Sequence, residues 1–296
     1  MSVLHCAHPI ESASIKDYCD LLKPRVMSLV VFTGFCGLLV APGPIHPLIA
    51  FVAILSIAIG AGASGCLNMW YEADLDRMME RTKNRPLPRG VIDRDSALAF
   101  GIILAVGSVV LIGLSVNYIS AFLLAFTIFF YVVIYTMVLK PFTQQNIVIG
   151  GLAGALPPLI GWTSVSKTIA IPPLVMVAII FFWTIPHFWS LALIKSDDYK
   201  RAGIPMMPNT KGPHSTKRQI LVYTLATVIC PPTLWIVSFS SLFFLLASSI
   251  LGAFFISFSV MLLNKEKGGE MHLFAYSLLY LFLLFLLIVV DQKIFM

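Results

Sequence analysis

The chain alternates between long apolar segments and short breaks that carry most of its charge. Of its 296 residues, 58% are hydrophobic and only 11% are charged, whereas a soluble domain carries about 25% charged residues. Backbone polar groups in a bilayer must be paired within helices or a closed barrel, and these apolar segments do not alternate with a period of two. The sequence therefore predicts an all-α membrane protein.

Nine segments are long enough to cross a bilayer, which takes roughly 20 apolar residues. They are placed at about 26–41, 47–66, 97–115, 118–138, 146–165, 171–194, 219–238, 241–263 and 271–290. We interpret residues 1–296 as a single polytopic domain, a bundle of nine transmembrane helices around a central cavity. Its two large polar loops lie at about 67–96 and 195–218.

Positive charge is distributed unequally between the two ends of these spans. With nine spans, eighteen of the twenty Lys and Arg residues fall on one side, and only Lys167 and Lys293 fall on the other. Because Lys and Arg accumulate in cytoplasmic loops, the N-terminus is predicted to be cytoplasmic and the C-terminus outside. Both large loops then face the cytoplasm.

The first loop contains a stripe of oxygen ligands. Asn68, Glu72 and Asp76 are spaced i, i+4 and i+8, so a helix that continues past Leu67 would place them on one face, with Asp74 turned away. Hard oxygen ligands suit Mg²⁺, which often bridges to phosphate. The alternative is a solvated helix end, in which the acids pair with nearby arginines.

Basic residues surround and follow this stripe. Arg and Lys can clamp diphosphate oxygens, whereas the alternative role for any one of them is to set membrane orientation. Lys140, at the cytoplasmic end of the fourth span, can also reach a diphosphate. The predicted diphosphate-binding residues are Arg77, Arg81, Lys83, Arg85 and Lys140.

The second loop supplies further carboxylates. Asp197 and Asp198 lie where the sixth span reaches the cytoplasmic face, so carboxylates from two separate helices can hold metal around one diphosphate. His187 lies about three turns earlier, inside the span, and is a candidate haem contact or axial ligand together with Trp183 and Trp189. The alternative for His187 is a structural hydrogen bond to a neighbouring helix, and the alternative for the two tryptophans is packing alone.

Other classes of function are disfavoured. A formal net charge of +6 does not indicate nucleic-acid binding, because the positive residues flank apolar spans. Five cysteines without a CxxC spacing indicate neither a zinc site nor a disulfide framework. The N-terminal residues lack a cleavage signature, so no removable signal peptide is expected.

Three stretches carry a resemblance to a known family: NMWYEADLDRMMERTKNRPLPRG (68–90), LKPFTQQNIVIGGLAGALPPLIGW (139–162) and PHFWSLALIKSDDYKRAGIPMMP (186–208). In them the chain resembles the UbiA superfamily of intramembrane prenyltransferases, and within it the members that farnesylate haem. The resemblance implies farnesyl diphosphate and haem B as substrates, haem O and diphosphate as products, and Mg²⁺ as the working ion. Asn68, Glu72 and Asp76 match the first acidic motif of the superfamily, and Asp198 matches the second.

Two positions depart from the superfamily pattern. Position 72 is Glu where Asp is usual, and the second motif, typically DxxxD, has Ala202 as its last residue. Asp197 is the candidate replacement, which leaves the number of Mg²⁺ ions open. The bacterial inner membrane, with the active site facing the cytoplasm, is the expected location, and a haem-modifying or oxidase-assembly protein is a candidate partner.

Two other functions stay open at this point. One is prenyl transfer to an aromatic quinone precursor instead of haem. The other is a haem or lipid transporter without chemistry, although a transporter should place ionisable residues near the middle of the bilayer, where this chain has almost none.

Overall fold

The computed structural model describes residues 13–265 and 268–296. Lys267, which the sequence assigns to the cytoplasmic side, and residues 1–12 of the predicted domain lie outside these ranges. Every regular element in the described ranges is helical. The elements are α1 (Ile15–Leu21), α2 (Pro24–Leu39), α3 (Pro47–Tyr71), α4 (Ala73–Met78), α5 (Arg94–Ser115), α6 (Tyr118–Phe129), a π-helical segment (Phe130–Leu139), α7 (Lys140–Phe142), α8 (Asn146–Ala155), α9 (Pro157–Ser166), α10 (Ile171–Ile194), α11 (Ser196–Arg201), α12 (Met207–Lys211), α13 (Pro213–Ile236), α14 (Leu242–Asn264) and α15 (Glu270–Ile294).

The described helices agree with the predicted spans. Eight helical stretches are long and apolar enough to cross a membrane, and the pair α1 and α2, bent by 56°, makes a ninth if it crosses as one. The all-helical architecture with up to nine spans is thus confirmed, whereas the cytoplasmic N-terminus and outside C-terminus stay predictions. Among the eight spans that do not depend on this bent pair, the largest shift is in the seventh, which begins at Pro213 and not near residue 219.

Local sequence explains where these helices begin. Proline occupies the first turn of α2, α3, α9, α10 and α13, where a missing N–H costs nothing. Elsewhere a polar side chain caps the helix: Asp93 accepts from the Ser96 N–H at 2.8 Å, and Asn117 accepts from the Ser120 N–H at 2.9 Å.

Two spans are irregular in their interior, and both lie beside the candidate site. The fourth changes from α to π geometry after Phe129, where the Thr136 hydroxyl donates to the Tyr131 carbonyl five residues earlier, at 2.8 Å. The fifth breaks between α8 and α9 at Pro157, which has no N–H to donate.

Glycine allows α2 and α9 to pack with their backbones in contact. A Cβ at Gly161 would lie only 2.0 Å from the Gly34 carbonyl oxygen, and a Cβ at Gly37 only 2.1 Å from the Pro158 carbonyl oxygen. Any larger residue would push the two helices apart. The same two helices also contribute residues to an apolar cavity lined by α2, α3, α6 and the broken span α8–α9.

Candidate active site

The predicted stripe of oxygen ligands forms where α3 passes into α4. The backbone leaves regular helical geometry at Glu72 (φ −90°, ψ 10°), but the Glu72 N–H still donates to the Asn68 carbonyl at 3.0 Å, and the Asp76 N–H donates to the Glu72 carbonyl at 2.8 Å. Asn68, Glu72 and Asp76 are 4%, 4% and 3% exposed. The Asp74 side chain is 66% exposed, as the helical spacing predicts.

Each member of the stripe is paired with a different cation. The Lys140 ammonium lies 2.5 Å and 2.6 Å from the two carboxylate oxygens of Glu72. The Arg85 guanidinium donates to Asp76 Oδ2 at 2.6 Å, and the Lys23 ammonium donates to Asn68 Oδ1 at 2.5 Å. Buried charges are tolerated when they are paired in this way.

Lys23 was not predicted as a site residue. It lies at the bend between α1 and α2, with a left-handed backbone (φ 52°), immediately before Pro24. That bend turns its side chain toward α3, where its Cδ lies 3.5 Å from the position of a Cβ at Gly65. The sequence signal is a lysine before a proline at the start of a span, a position where a positive charge ordinarily indicates only membrane orientation.

The π-helical segment holds the Asn68 amide in place. Asn68 Nδ2 donates to Thr136 Oγ1 at 3.2 Å, and the Thr136 hydroxyl donates in turn to the Tyr131 carbonyl. The amide nitrogen is therefore occupied, and the amide oxygen is turned toward Lys23. An oxygen fixed in this way is a preorganised ligand.

The predicted diphosphate-binding residues divide into two groups. Arg85 and Lys140 contact the buried acids, as described above. Arg77 pairs with Asp74 at 3.1 Å and Lys83 with Glu80 at 2.5 Å, both on the surface. Arg81 is exposed but is close enough to Tyr135 to interact with it electrostatically.

The second polar loop lies at the same end of the bundle as the first. Thr210 donates to Gln144, just after α7, at 2.6 Å. Tyr135 is within electrostatic range of both Glu72 and Tyr199. The two loops and the segment after the fourth span therefore meet.

Within the second loop the two aspartates differ. Asp198 is buried and forms an ion pair with Arg201, whereas Asp197 is exposed. No hydrogen bond or ion pair in residues 13–265 and 268–296 joins Asp198 to Glu72. Asp198 is therefore the stronger candidate of the two, and both assignments stay predictions.

The oxygen stripe offers ligands for a magnesium ion but is not a complete metal site by itself. Among the described side chains no three His, Cys, Asp or Glu residues lie close enough to hold a metal on their own. Mg²⁺, however, keeps several waters and is commonly held by one or two carboxylates together with substrate phosphates. The site has two buried carboxylates and a fixed amide oxygen, and each of them is bonded to a Lys or Arg side chain. Such a set of ligands fits an ion that enters together with a diphosphate.

His187 lies in a stack of aromatic rings between α10 and α15. Its ring is nearly parallel to those of Trp183 and Phe274, at centroid distances of 4.5 Å and 4.6 Å. His187 Nδ1 lies 2.8 Å from Ser277 Oγ, whose hydroxyl proton is donated to the Phe274 carbonyl at 2.6 Å. The proton of a neutral ring is then on Nδ1, which leaves the lone pair on Nε2.

The other predicted haem contacts are placed differently. Trp183 donates from its indole nitrogen to the Ser277 carbonyl at 2.7 Å, which ties it to the same stack. Trp189 is fully buried against Tyr223, and its indole nitrogen has no partner among the described residues. The structure therefore joins His187 to Trp183 and not to Trp189.

An apolar cavity lies beside the oxygen stripe and the cations that bond to it. It encloses about 650 Å³ of empty space, a figure that includes its open mouth. Lys23 and Tyr131 line its polar end, and Ile57, Leu124 and Ile160 line its opposite end. Lys23 thus contacts both the oxygen stripe and the cavity, so a single molecule with an anionic head and an apolar tail fits both.

Comparisons with known proteins agree with this arrangement. The model of the UbiA prenyltransferase family matches residues 29–289. A protoheme IX farnesyltransferase of Rhodopseudomonas palustris is 53% identical, over 95% of this chain and 92% of that protein. A digeranylgeranylglyceryl phosphate synthase has the same fold, with a TM-score of 0.78, 17% identity and coverage of 94% of this chain and 98% of that chain.

A further solved structure shares the fold. It is a UbiA homologue from Archaeoglobus fulgidus bound to GPP and Mg²⁺, with a TM-score of 0.66, 17% identity and coverage of 92% of this chain and 99% of that chain. The family match covers most of the described bundle, including the oxygen stripe and the cavity lining from Val30 onward. The chain therefore belongs to the UbiA prenyltransferase family.

Proposed function

We propose that this chain is a protoheme IX farnesyltransferase, which joins the farnesyl group of farnesyl diphosphate to a vinyl group of haem B and yields haem O and diphosphate. The observation that carries the proposal is the double contact of Lys23: its ammonium donates to the oxygen stripe, and its side chain lines the apolar cavity. The substrate that fits has a polyanionic head and a hydrocarbon tail. The choice of haem as acceptor rests on the relative that shares half of its residues with this chain.

Mg²⁺ is the proposed ion, with Asn68, Glu72, Asp76, Asp197 and Asp198 as the proposed ligands. When bound, it would neutralise charge on the leaving diphosphate. The solved homologue with GPP and Mg²⁺ supports this assignment by analogy of fold. The cations that now bond to the oxygen stripe, Lys23, Arg85 and Lys140, are then available to hold diphosphate oxygens.

The chain's own residues supply position and electrostatics. Lys23, Arg85 and Lys140 surround the place where negative charge develops as the C1–O bond breaks and its electron pair leaves with the diphosphate. The cavity holds the farnesyl chain and keeps water from the allylic cation. One vinyl carbon of haem bonds to C1, and water adds to the other vinyl carbon with loss of a proton, so no covalent enzyme nucleophile is needed.

The acceptor side of the site is proposed to include His187 and Trp183. His187 offers an unprotonated Nε2 held in a rigid stack, which suits an axial contact with the haem iron. We place the reaction at the cytoplasmic face of a bacterial inner membrane, on the charge asymmetry of the loops. A haem-modifying or oxidase-assembly protein would receive the product, which is too apolar to leave the bilayer.

Reconstitution with defined substrates tests the proposed function. We expect the purified chain in detergent, with Mg²⁺, farnesyl diphosphate and haem B, to form haem O and to release one diphosphate for each haem consumed. Replacing haem with 4-hydroxybenzoate or a naphthoate should give no prenylated product. A product from an aromatic acid and none from haem would identify a quinone-precursor prenyltransferase, and no diphosphate release would indicate a carrier.

The role of His187 is separable from its packing. We expect His187→Phe, which keeps a flat ring between Trp183 and Phe274, to raise the KM for haem by about tenfold, the scale of one lost polar contact. The KM for farnesyl diphosphate should not change. The Soret band of added haem should also shift between the two proteins, because an imidazole ligand is lost.

A second histidine provides the control for this variant. His272 is exposed on α15, and His272→Phe should leave both constants and the Soret band unchanged. If His187→Phe retains the wild-type KM for haem and its spectrum, the histidine only packs between its neighbours, and the haem site lies elsewhere.

A further inference from the structure

The apolar cavity has a closed end as well as a polar one. On α3 its lining runs from Gly65 to Ile57, which spans about 12 Å at the rise of an α-helix. On α2 it runs from Lys23 to Val30, about 10 Å by the same measure. Two independent walls therefore give nearly the same depth.

The closed end is formed by three buried side chains. Ile57, Leu124 and Ile160 are at most 2% exposed and belong to one core cluster. Residues closer to the mouth are smaller or more exposed: Ala61 is partly exposed, and the position of a Cβ at Gly154 meets nothing within 4 Å. The lining is therefore small or partly exposed toward the polar end, and large and buried at the other end, which we call the floor.

This depth matches a particular length of hydrocarbon. Each isoprene unit adds four chain carbons, or roughly 4–5 Å when extended with carbon–carbon bonds of about 1.5 Å. With C1 beside Lys23, two units lie along the walls and a third reaches the floor. A fourth unit would exceed the depth of both walls.

We infer that Ile57, Leu124 and Ile160 form a floor that selects the prenyl donor by chain length, so that a fifteen-carbon donor is accepted and a twenty-carbon donor is excluded. The inference rests on the proposed function, because it takes the occupant of the cavity to be the donor's prenyl chain. It assigns a specificity-determining role to three side chains that touch no charged group of the site.

Two substitutions should change the length preference in opposite directions. Leu124→Ala lowers the floor and should raise the ratio of kcat/KM for geranylgeranyl diphosphate to that for farnesyl diphosphate by about tenfold or more, the discrimination expected of a few methylene groups. Ala61→Phe fills the cavity halfway and should favour geranyl diphosphate over farnesyl diphosphate by a similar factor. Because each result is a ratio within one variant, partial loss of folded protein does not affect it.

A neighbouring leucine is the matched control. Leu123 belongs to the same helix and core cluster as Leu124 but does not line the cavity. Leu123→Ala should lower stability to a similar degree and leave the wild-type length preference unchanged. A preference that is unchanged in both Leu124→Ala and Ala61→Phe, or changed equally in Leu123→Ala, would overturn the inference.

Binding of unreactive donors separates this inference from the proposed reaction. The dissociation constants of geranyl, farnesyl and geranylgeranyl S-thiolodiphosphates can be measured without an acceptor, in the wild type and the three variants. If the wild type binds the farnesyl analogue best and the variants shift that optimum, the floor acts as inferred, even if no haem O is formed. Equal affinity for all three analogues in the wild type would contradict the floor, even if haem O is formed.

Discussion

Asp76→Asn is expected to reduce haem O formation by a factor on the order of 10²–10³, the usual loss when a group that stabilises transition-state charge is removed. Asp76 is buried, and its carboxylate accepts from Arg85 at 2.6 Å. The amide that replaces it keeps the size of the side chain but removes the negative charge. Both the attraction for Mg²⁺ and the fixed position of Arg85 are then weakened.

The measurement is a titration of Mg²⁺ against initial rate, with farnesyl diphosphate and haem B at saturation. The concentration of Mg²⁺ at half-maximal rate should rise in Asp76→Asn, because a neutral oxygen is a weaker ligand. Thermal unfolding in the same detergent checks that the variant is folded. That second readout separates loss of metal affinity from loss of structure.

Asp74→Asn is the matched control, because Asp74 lies two residues earlier and changes in the same way. Its side chain is 66% exposed and pairs with Arg77 and Arg94 on the surface. Exposed ion pairs contribute little to stability, so we expect nearly wild-type activity and the same Mg²⁺ dependence. Near-wild-type activity in Asp76→Asn would show that the first acidic motif is not part of the active site.

Periodicity and segment length were sufficient to predict most of the fold. A bilayer fixes the length of each span, so the sequence alone placed the described helices to within a few residues over most of the chain. The burial of Asn68, Glu72 and Asp76 and the exposure of Asp74 followed from the helical repeat. These features depend on neighbours within a few turns, which the sequence contains directly.

The pairing of charges across helices could not be predicted in the same way. Lys23 and Asn68 are 45 residues apart, and Lys140 and Glu72 are 68 apart. Which side chains meet depends on how the helices pack, and hydropathy does not encode that packing. The π-helical segment was also missed, because one extra residue per turn leaves the hydropathy of a span unchanged.

Lys140 shows the consequence for assigning roles. The sequence placed it at the cytoplasmic face and suggested diphosphate as its partner. In the structure its ammonium is bonded to both oxygens of Glu72. The two roles are compatible if the Lys140 ammonium moves from Glu72 to the diphosphate when the substrate binds. The buried Glu72 carboxylate then needs another cation, which is the Mg²⁺ that accompanies the diphosphate. The departure from Asp to Glu at position 72 lengthens the arm that reaches this lysine.

Lys23→Met is expected to lower kcat by about 10²-fold, with a smaller effect on the KM for farnesyl diphosphate. Methionine retains the apolar stem that lines the cavity but not the ammonium that donates to Asn68 Oδ1. Binding of the prenyl chain should therefore persist, whereas charge on the departing diphosphate loses a donor next to the breaking bond. Steady-state kinetics with haem O and diphosphate both quantified measures the two effects separately.

Two further variants distinguish charge from local structure at the bend between α1 and α2. Lys23→Arg keeps the positive charge and should recover part of kcat, since a guanidinium can donate to the same oxygens in a different geometry. Lys16→Met removes an exposed lysine from the same N-terminal segment and should be neutral. If Lys23→Met and Lys23→Arg are equally impaired, an ammonium in this position is required and positive charge alone is not sufficient. If Lys23→Met is as active as wild type, the diphosphate of the donor binds away from Lys23. The C1–O bond is then not broken at the point where the oxygen stripe meets the cavity.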